Sequence, residues 1–268
     1  MKIAMATANF YHIPFDKTLE IIKQAGFEYI ELDGYWKGGD SWETAQHIKD
    51  IKPKDVINMV SDSGLRIASF HDMGGVIEQG SESLINSKTY EYLALTEIPC
   101  VIFHTPCHKT TDKNWWKKYK KTVINDLKTL SENRIICIEN MIQFNNYVVP
   151  LLEPKEMFEF ISEANVFTTI DTTHYAQSAT NIVYAADILK DKVKTIHLSD
   201  YYNGKSHIYI GDGELEFKSF YNKLNIDDLY LTTIECALPY SSDNVQLAID
   251  KSKEAFDIVE KFTSNQTK

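Results

Sequence analysis

The sequence predicts an α/β fold of one kind, a closed (β/α)8 barrel, with residues 1–268 forming a single domain. Three observations carry that prediction. Eight short runs rich in apolar and β-branched residues alternate with eight longer amphipathic runs, at about 33 residues per unit. The short runs are apolar nearly throughout, as strands buried on both faces of a parallel sheet are. No Pro/Gly/Ser linker or charge block divides the chain, and no G-x-G-x-x-G follows the first strand, as an open dinucleotide-binding sheet requires.

The elements follow in order. The first strand is read at 2–7 (KIAMAT) and the first helix at 15–25. A second strand at 28–33 (EYIELD) runs into a long loop, 34–52, with Tyr35, Trp36 and Trp42, and then a helix at 53–63. Pro53 suits the first turn of that helix, where a missing N–H costs nothing. The third strand (65–70, LRIASF) precedes a helix at 82–97, and the fourth (100–105, CVIFHT) a helix at 114–131. The fifth strand (135–140, IICIEN) leads to a helix at 154–163 that opens on Pro154, and the sixth (166–171, VFTTID) to one at 181–190. After the seventh strand (193–199, VKTIHLS), residues 200–215 read as a small hairpin or ordered excursion before a helix at 216–224. The eighth strand (230–236, YLTTIEC) and a helix at 242–262, begun by Ser242 or Asp243, close the barrel.

Composition narrows the function. The net charge is −10 and the isoelectric point about 5.3, which argues against gripping a nucleic acid backbone. Four cysteines (Cys100, Cys107, Cys137, Cys236) form no C-x-x-C pair and are too few for a disulfide scaffold. No apolar stretch approaches the ~18–20 residues of a membrane span. These features predict a cytoplasmic protein with no membrane partner.

Chemistry gathers at the strand ends. Of eight histidines, five (His71, His104, His174, His197, His207) fall at the carboxyl end of a predicted strand or in the loop after it. Glu31, Asp33, Glu139, Asp171 and Glu235 hold comparable positions. Carboxyl ends of barrel strands converge on one face, where barrel active sites are built. Imidazole and carboxylate are the ligands that divalent metals from Zn²⁺ through Mn²⁺ to Mg²⁺ select. Buried carboxylates are rare without a partner, so a metal centre accounts for them better than independent core placement.

These segments resemble the xylose isomerase-like TIM barrel superfamily, which includes sugar and sugar-phosphate isomerases and epimerases and the endonuclease IV branch of abasic-site nucleases. The resemblance runs from about residue 2 to 260 and rests on IENM (Glu139), DTTHYAQ (Asp171, His174), HLSD (His197, Asp200), HIYIGDGEL (His207, Gly211, Gly213) and TTIEC (Glu235). It implies a divalent ion (Mn, Mg, Co or Zn) held by Glu139, Asp171, His197 and Glu235. In the isomerase branch the two glutamates are also the acid/base groups and the ion steadies an enediolate. His71, His104, His174 and His207 are then candidates for a second ion or for substrate contacts, with His12 and Trp36 as weaker pocket residues. The implied substrate is a small sugar or sugar phosphate, and relatives form homo-oligomers. A dehydratase on the same scaffold belongs to the same chemical class.

The nuclease branch uses three metals. Its third site should pair His174 with an Asp-x-His in the long loop, yet the residue two before His207 is Lys205. That departure argues against abasic-site cleavage. The basic, aromatic run KNWWKKYKK (113–121) reads as an outer helix with a packed aromatic side, Gly211 and Gly213 as a tight turn, and Cys107 as a structural thiol.

Overall fold

The computed structural model describes residues 1–34, 47–73, 87–110, 112–238 and 244–264. All eight expected strands form: β1 (Lys2–Ala6), β2 (Tyr29–Asp33), β3 (Arg66–Asp72), β4 (Cys100–His104), β5 (Ile135–Glu139), β6 (Phe167–Asp171) and β7 (Val193–Leu198), then a hairpin of β8 (Asp200–Tyr202) and β9 (Lys205–Ile208), and last β10 (Leu231–Ile234). The eight barrel strands close in chain order, every neighbour parallel, with β10 pairing back onto β1. The helices are α1 (Phe15–Gln24), α2 (Pro53–Asp62), α3 (Ser87–Leu95), α4 (Trp115–Leu130), α5 (Pro154–Ala164), α6 (Thr172–Gln177), α7 (Ile182–Leu189), α8 (Phe217–Tyr221) and α9 (Val245–Ser264).

Period-two alternation sorts each strand. In β2, Ile30 and Leu32 face outward into the apolar layer shared with the helices, while Glu31 and Asp33 face the barrel axis. At the amino-terminal end the barrel is plugged by Ala4, Ala68 and Leu231 beside Tyr29 and Tyr230, and by Cys100, Ile102 and Cys137. Lys2 Nζ lies 3.8 Å over the Tyr230 ring and Arg66 sits over Tyr29, so the charges there cap an apolar plug. Above it lies a polar layer of buried Ser69, Thr169, Thr195 and Thr233. Polar side chains this deep hold one another: Thr169 and Thr195 share a hydrogen bond, and Ser69 donates to Glu31.

The structure adds to the expected elements and shortens one of them. Helix α6, absent from the sequence reading, starts on Asp171 itself with no intervening loop, and a 3-10 turn at Thr7–Phe10 follows β1. Ser242 and Asp243 lie outside the described residues; among the described ones, Asn244 Oδ1 accepts from the N–H of Leu247 at the start of α9. The segment at 216–224 is helical only over Phe217–Tyr221.

The plainer readings of three other motifs hold. In α4, Trp115 and Trp116 pack inward, Trp116 against Phe160, while Lys118 and Lys120 pair with Asp112 and Glu163. Cys107 is buried with Met141 and Val149, and burial pushes its thiol up to about 12. Gly211 and Gly213 donate their N–H groups to Asp200 Oδ2, both at 3.0 Å. An extra Cβ on Gly213 would collide with that carboxylate. Asp200 thus folds the excursion after the seventh strand onto itself.

Candidate metal centre

His71, His104, Glu139, Asp171 and His197 stand at the carboxyl ends of barrel strands, and the register sets them in pairs with one another or with Asp33. His104 stands opposite Glu139, Asp171 opposite His197, and Asp33 opposite His71. Glu235 follows β10 directly, its N–H still bonded to the Leu198 carbonyl at 3.1 Å. Asn140 clamps two of these strand ends: its Nδ2 donates to the Asp171 carbonyl and its Oδ1 accepts the Asp171 N–H.

Four groups of ligand atoms result, each within 4.8 Å: Glu139–Asp171–His197–Glu235, His71–His104–Glu139, Asp171–His174–His207 and Glu31–His71–His197. Glu139 is the hub. His71 Nε2 lies 3.0 Å from it, His174 Nδ1 3.2 Å, His197 Nδ1 3.3 Å and His104 Nε2 3.7 Å. His197 Nδ1 is also 2.7 Å from Glu235 Oε2. Most of the cluster is sealed; the side chains of Glu235, His174 and His104 keep 13%, 12% and 15% exposure and mark the open side.

The donor set fits a divalent ion. Both oxygens of Glu139, Asp171 Oδ2, Glu235 Oε2 and both ring nitrogens of His197 are buried without an aligned hydrogen bond. Orphaned buried polar atoms are costly, and converging ones are what an ion satisfies. Asp171 divides its work: Oδ1 caps α6 by accepting from the His174 N–H at 2.7 Å, leaving Oδ2 to face the cluster.

Taken by themselves, the acids and bases of the cluster offset one another's charge. Burial drives the His174 imidazole down, but Asp171 and Glu139 outweigh it and raise it to about 9. Burial likewise opposes His71 and His197, and their carboxylate neighbours hold both well above the usual range. Glu139 is pushed up by burial and pulled further down by His197, His71 and His104. Burial takes His104 the other way, to about 3. A histidine whose pKa rises on folding stabilises the protein fully below its unfolded value, about 6.5, and loses that contribution as pH rises through its folded value. Metal-stripped protein is therefore expected to show a falling urea midpoint between pH 7 and about 9.5, with His174 alone worth up to about 3 kcal/mol. Saturating divalent ion should remove the decline, since it replaces the protons. A flat midpoint in the stripped protein would contradict this balance.

The sequence-predicted residues divide clearly. Glu139, Asp171, His197, Glu235, His71, His104, His174 and His207 all enter one or more groups. His12 is exposed beside Tyr11 and enters none. Trp36, with Tyr35 and Trp42, lies outside the described residues. The third group bears on the argument from Lys205: that residue is exposed on β9, and the carboxylate beside His174 and His207 is Asp171, shared with the first group. Glu31 and Asp33, recognised in the sequence only as strand-end acids, are fully buried against the histidines. Their shared parity in β2 was the signal that pointed inward.

A family model described as the xylose isomerase-like TIM barrel matches residues 19–259. Among solved structures, the chain is similar to a D-allulose 3-epimerase from a Methylomonas species, at 16% identity over 98% of each chain with a TM-score of 0.70. The IolI protein with a bound zinc atom gives 16% identity, 98% of this chain, 99% of that one and a TM-score of 0.68. The probable 3-DHS dehydratase AsbF from Bacillus anthracis gives 15%, 94%, 98% and 0.61. At these identities the likeness shows the fold. No curated protein matches the chain.

Proposed function

The chain belongs to the xylose isomerase-like TIM barrel family, and we propose that it is a divalent-metal-dependent isomerase or epimerase of a small sugar or sugar phosphate. The observation that carries this reading is the convergence of Glu139, Asp171, His197 and Glu235 from four strands within 4.8 Å, with Glu235 on the open side. Three carboxylates and one imidazole suit Mn²⁺, Mg²⁺ or Co²⁺, and Zn²⁺ with them. The second group, His71–His104–Glu139, gives room for another ion.

When bound, the ion supplies positive charge beside the sugar's oxygens, which makes an adjacent C–H more acidic. The chain's own residues do the rest. Glu235, reaching the mouth, takes the proton from the carbon next to the carbonyl on one face of the sugar. Glu139 serves the other face: it takes up a proton from His174, whose Nδ1 lies 3.2 Å away, and delivers it there, which inverts the carbon, while Glu235 releases its proton to solvent at the mouth and His174 is reprotonated from solvent. His104 and His174, partly exposed, are placed to bond substrate hydroxyls. The epimerase and dehydratase among the similar structures support proton chemistry beside a carbonyl without naming a substrate.

A panel of ketoses and ketose phosphates, run in deuterium oxide with Mn²⁺, Co²⁺, Mg²⁺ or Zn²⁺, tests the reading. Turnover with solvent deuterium at the inverted carbon is expected. Turnover with an unlabelled product would replace proton transfer with a hydride shift.

One observation favours a second reading. The Asp171–His174–His207 group gives the site a third set of ligands, as a metal-dependent phosphodiesterase would need. The net charge of −10 opposes a polyanion, and Arg66 and Arg134 precede or begin strands at the far end of the barrel. Nanomolar protein with Zn²⁺ is expected to leave a duplex with one abasic analogue uncut; multiple turnovers would reverse the ranking.

A further inference from the structure

His197 faces two ways. Its Nδ1 points to Glu235 and Glu139, and its Nε2 lies 2.9 Å from Glu31 Oε1. Glu31 is fully buried and its other oxygen is already engaged: Ser69 donates to Oε2 at 2.6 Å and Thr233 at 3.2 Å. These hydroxyls come from β3 and β10, on either side of β1 and β2, so the carboxylate is gripped from two directions. Glu31 Oε1 has no aligned donor of its own and sits where an Nε2–H would reach it.

We infer that Glu31 is a positioning residue of the metal centre: it holds the proton of His197 on Nε2 and so presents a bare Nδ1 to the ion. The inference rests on the metal reading above. An imidazole ligates through a nitrogen without hydrogen, and the partner of its other nitrogen decides which nitrogen that is. The same strand repeats the device one layer higher. Asp33 Oδ1 lies 3.3 Å from His71 Nδ1, and Asp33 is itself fixed by the Thr7 hydroxyl and the Ala8 N–H. His71 thereby turns Nε2 toward Glu139. Residues 31 and 33 share one face of β2, so a single short strand orients two histidines.

Glu31→Gln is the discriminating substitution, because Ser69 and Thr233 still claim an oxygen. The amide oxygen satisfies them, its NH₂ then faces His197 Nε2, and the imidazole proton moves to Nδ1, against the ion. Calorimetric titration with Mn²⁺ and Zn²⁺ should show affinity about 10–100-fold weaker than wild type, the range for lost outer partners of metal-bound histidines. The stripped variant, though it loses the Glu31 charge beside His197, should still unfold in one cooperative transition, so that the affinities compare two folded proteins. Nitrogen NMR of isotope-labelled histidine in zinc-loaded wild type should show Nε2 protonated and Nδ1 bound; this readout holds even if the variant fails to fold. Equal affinity of wild type and variant, or a zinc-loaded His197 protonated on Nδ1, overturns the inference and leaves the metal centre standing. Failure of wild type itself to bind either ion overturns both.

Discussion

Glu235→Gln and Glu139→Gln are each expected to lower turnover by about 10²–10⁴-fold, the usual contribution of a positioned general acid or base. The amide keeps the size and one oxygen of the carboxylate, so folding and part of the ion affinity survive while proton uptake is lost. The two variants should differ in a second respect. Glu235 is the member of the quartet with a partly exposed side chain, and its loss should fall on the chemical step. Glu139 touches four imidazoles, so its loss should also weaken ion binding and alter the alkaline stability profile. Steady-state kinetics at saturating ion, beside calorimetric titration of each variant, separates the effects. Turnover at the wild-type level in both variants would end the acid/base assignment.

The second large effect concerns Asp171. Because Oδ1 caps α6 and Oδ2 is the orphan facing the cluster, two substitutions pull the roles apart. Asp171→Asn retains an oxygen to accept from the His174 N–H, so the cap is kept while the charge is lost. Asp171→Ala removes both and should cost a further ~0.5–2 kcal/mol of stability from the missing cap. Ion affinity should fall in both variants by more than the ~10–100-fold expected for an outer partner such as Glu31. Urea unfolding of the stripped proteins reads the cap, and calorimetry reads the charge. Unchanged affinity in Asp171→Asn would remove Asp171 from the ligand set.

Much of this architecture was legible in the sequence because two simple periods govern it. Strands buried on both faces show as apolar runs, and an ionisable residue ending such a run has few places to go except the barrel mouth. That logic brought out Glu31, Asp33, Glu139, Asp171, His197 and Glu235 alike, and the family resemblance then singled out the last four as a metal quartet. No role was assigned to Glu31 and Asp33 because their partners, His197 and His71, stand on other strands, and no spacing in the chain encodes that meeting. Helix α6 escaped for a different reason. Its six residues are too few to display a helical period, and only Asp171 at its cap betrays it. The third group shows the same limit. The sequence pattern sought a carboxylate beside His207 in the loop, whereas the fold brings one from β6. His207 itself has a φ of 51°, a left-handed turn that no simple strand alternation would place.

One ion at one place carries the proposed chemistry. A crystal structure of the protein loaded with Mn²⁺, with anomalous diffraction collected at the manganese edge, tests it most directly. The expected result is an anomalous peak bonded to Glu139, Asp171, Glu235 and Nδ1 of His197, with Nε2 of His197 against Glu31. A peak held by the outer histidines without Asp171 and Glu235, or no peak at saturating Mn²⁺, would contradict it.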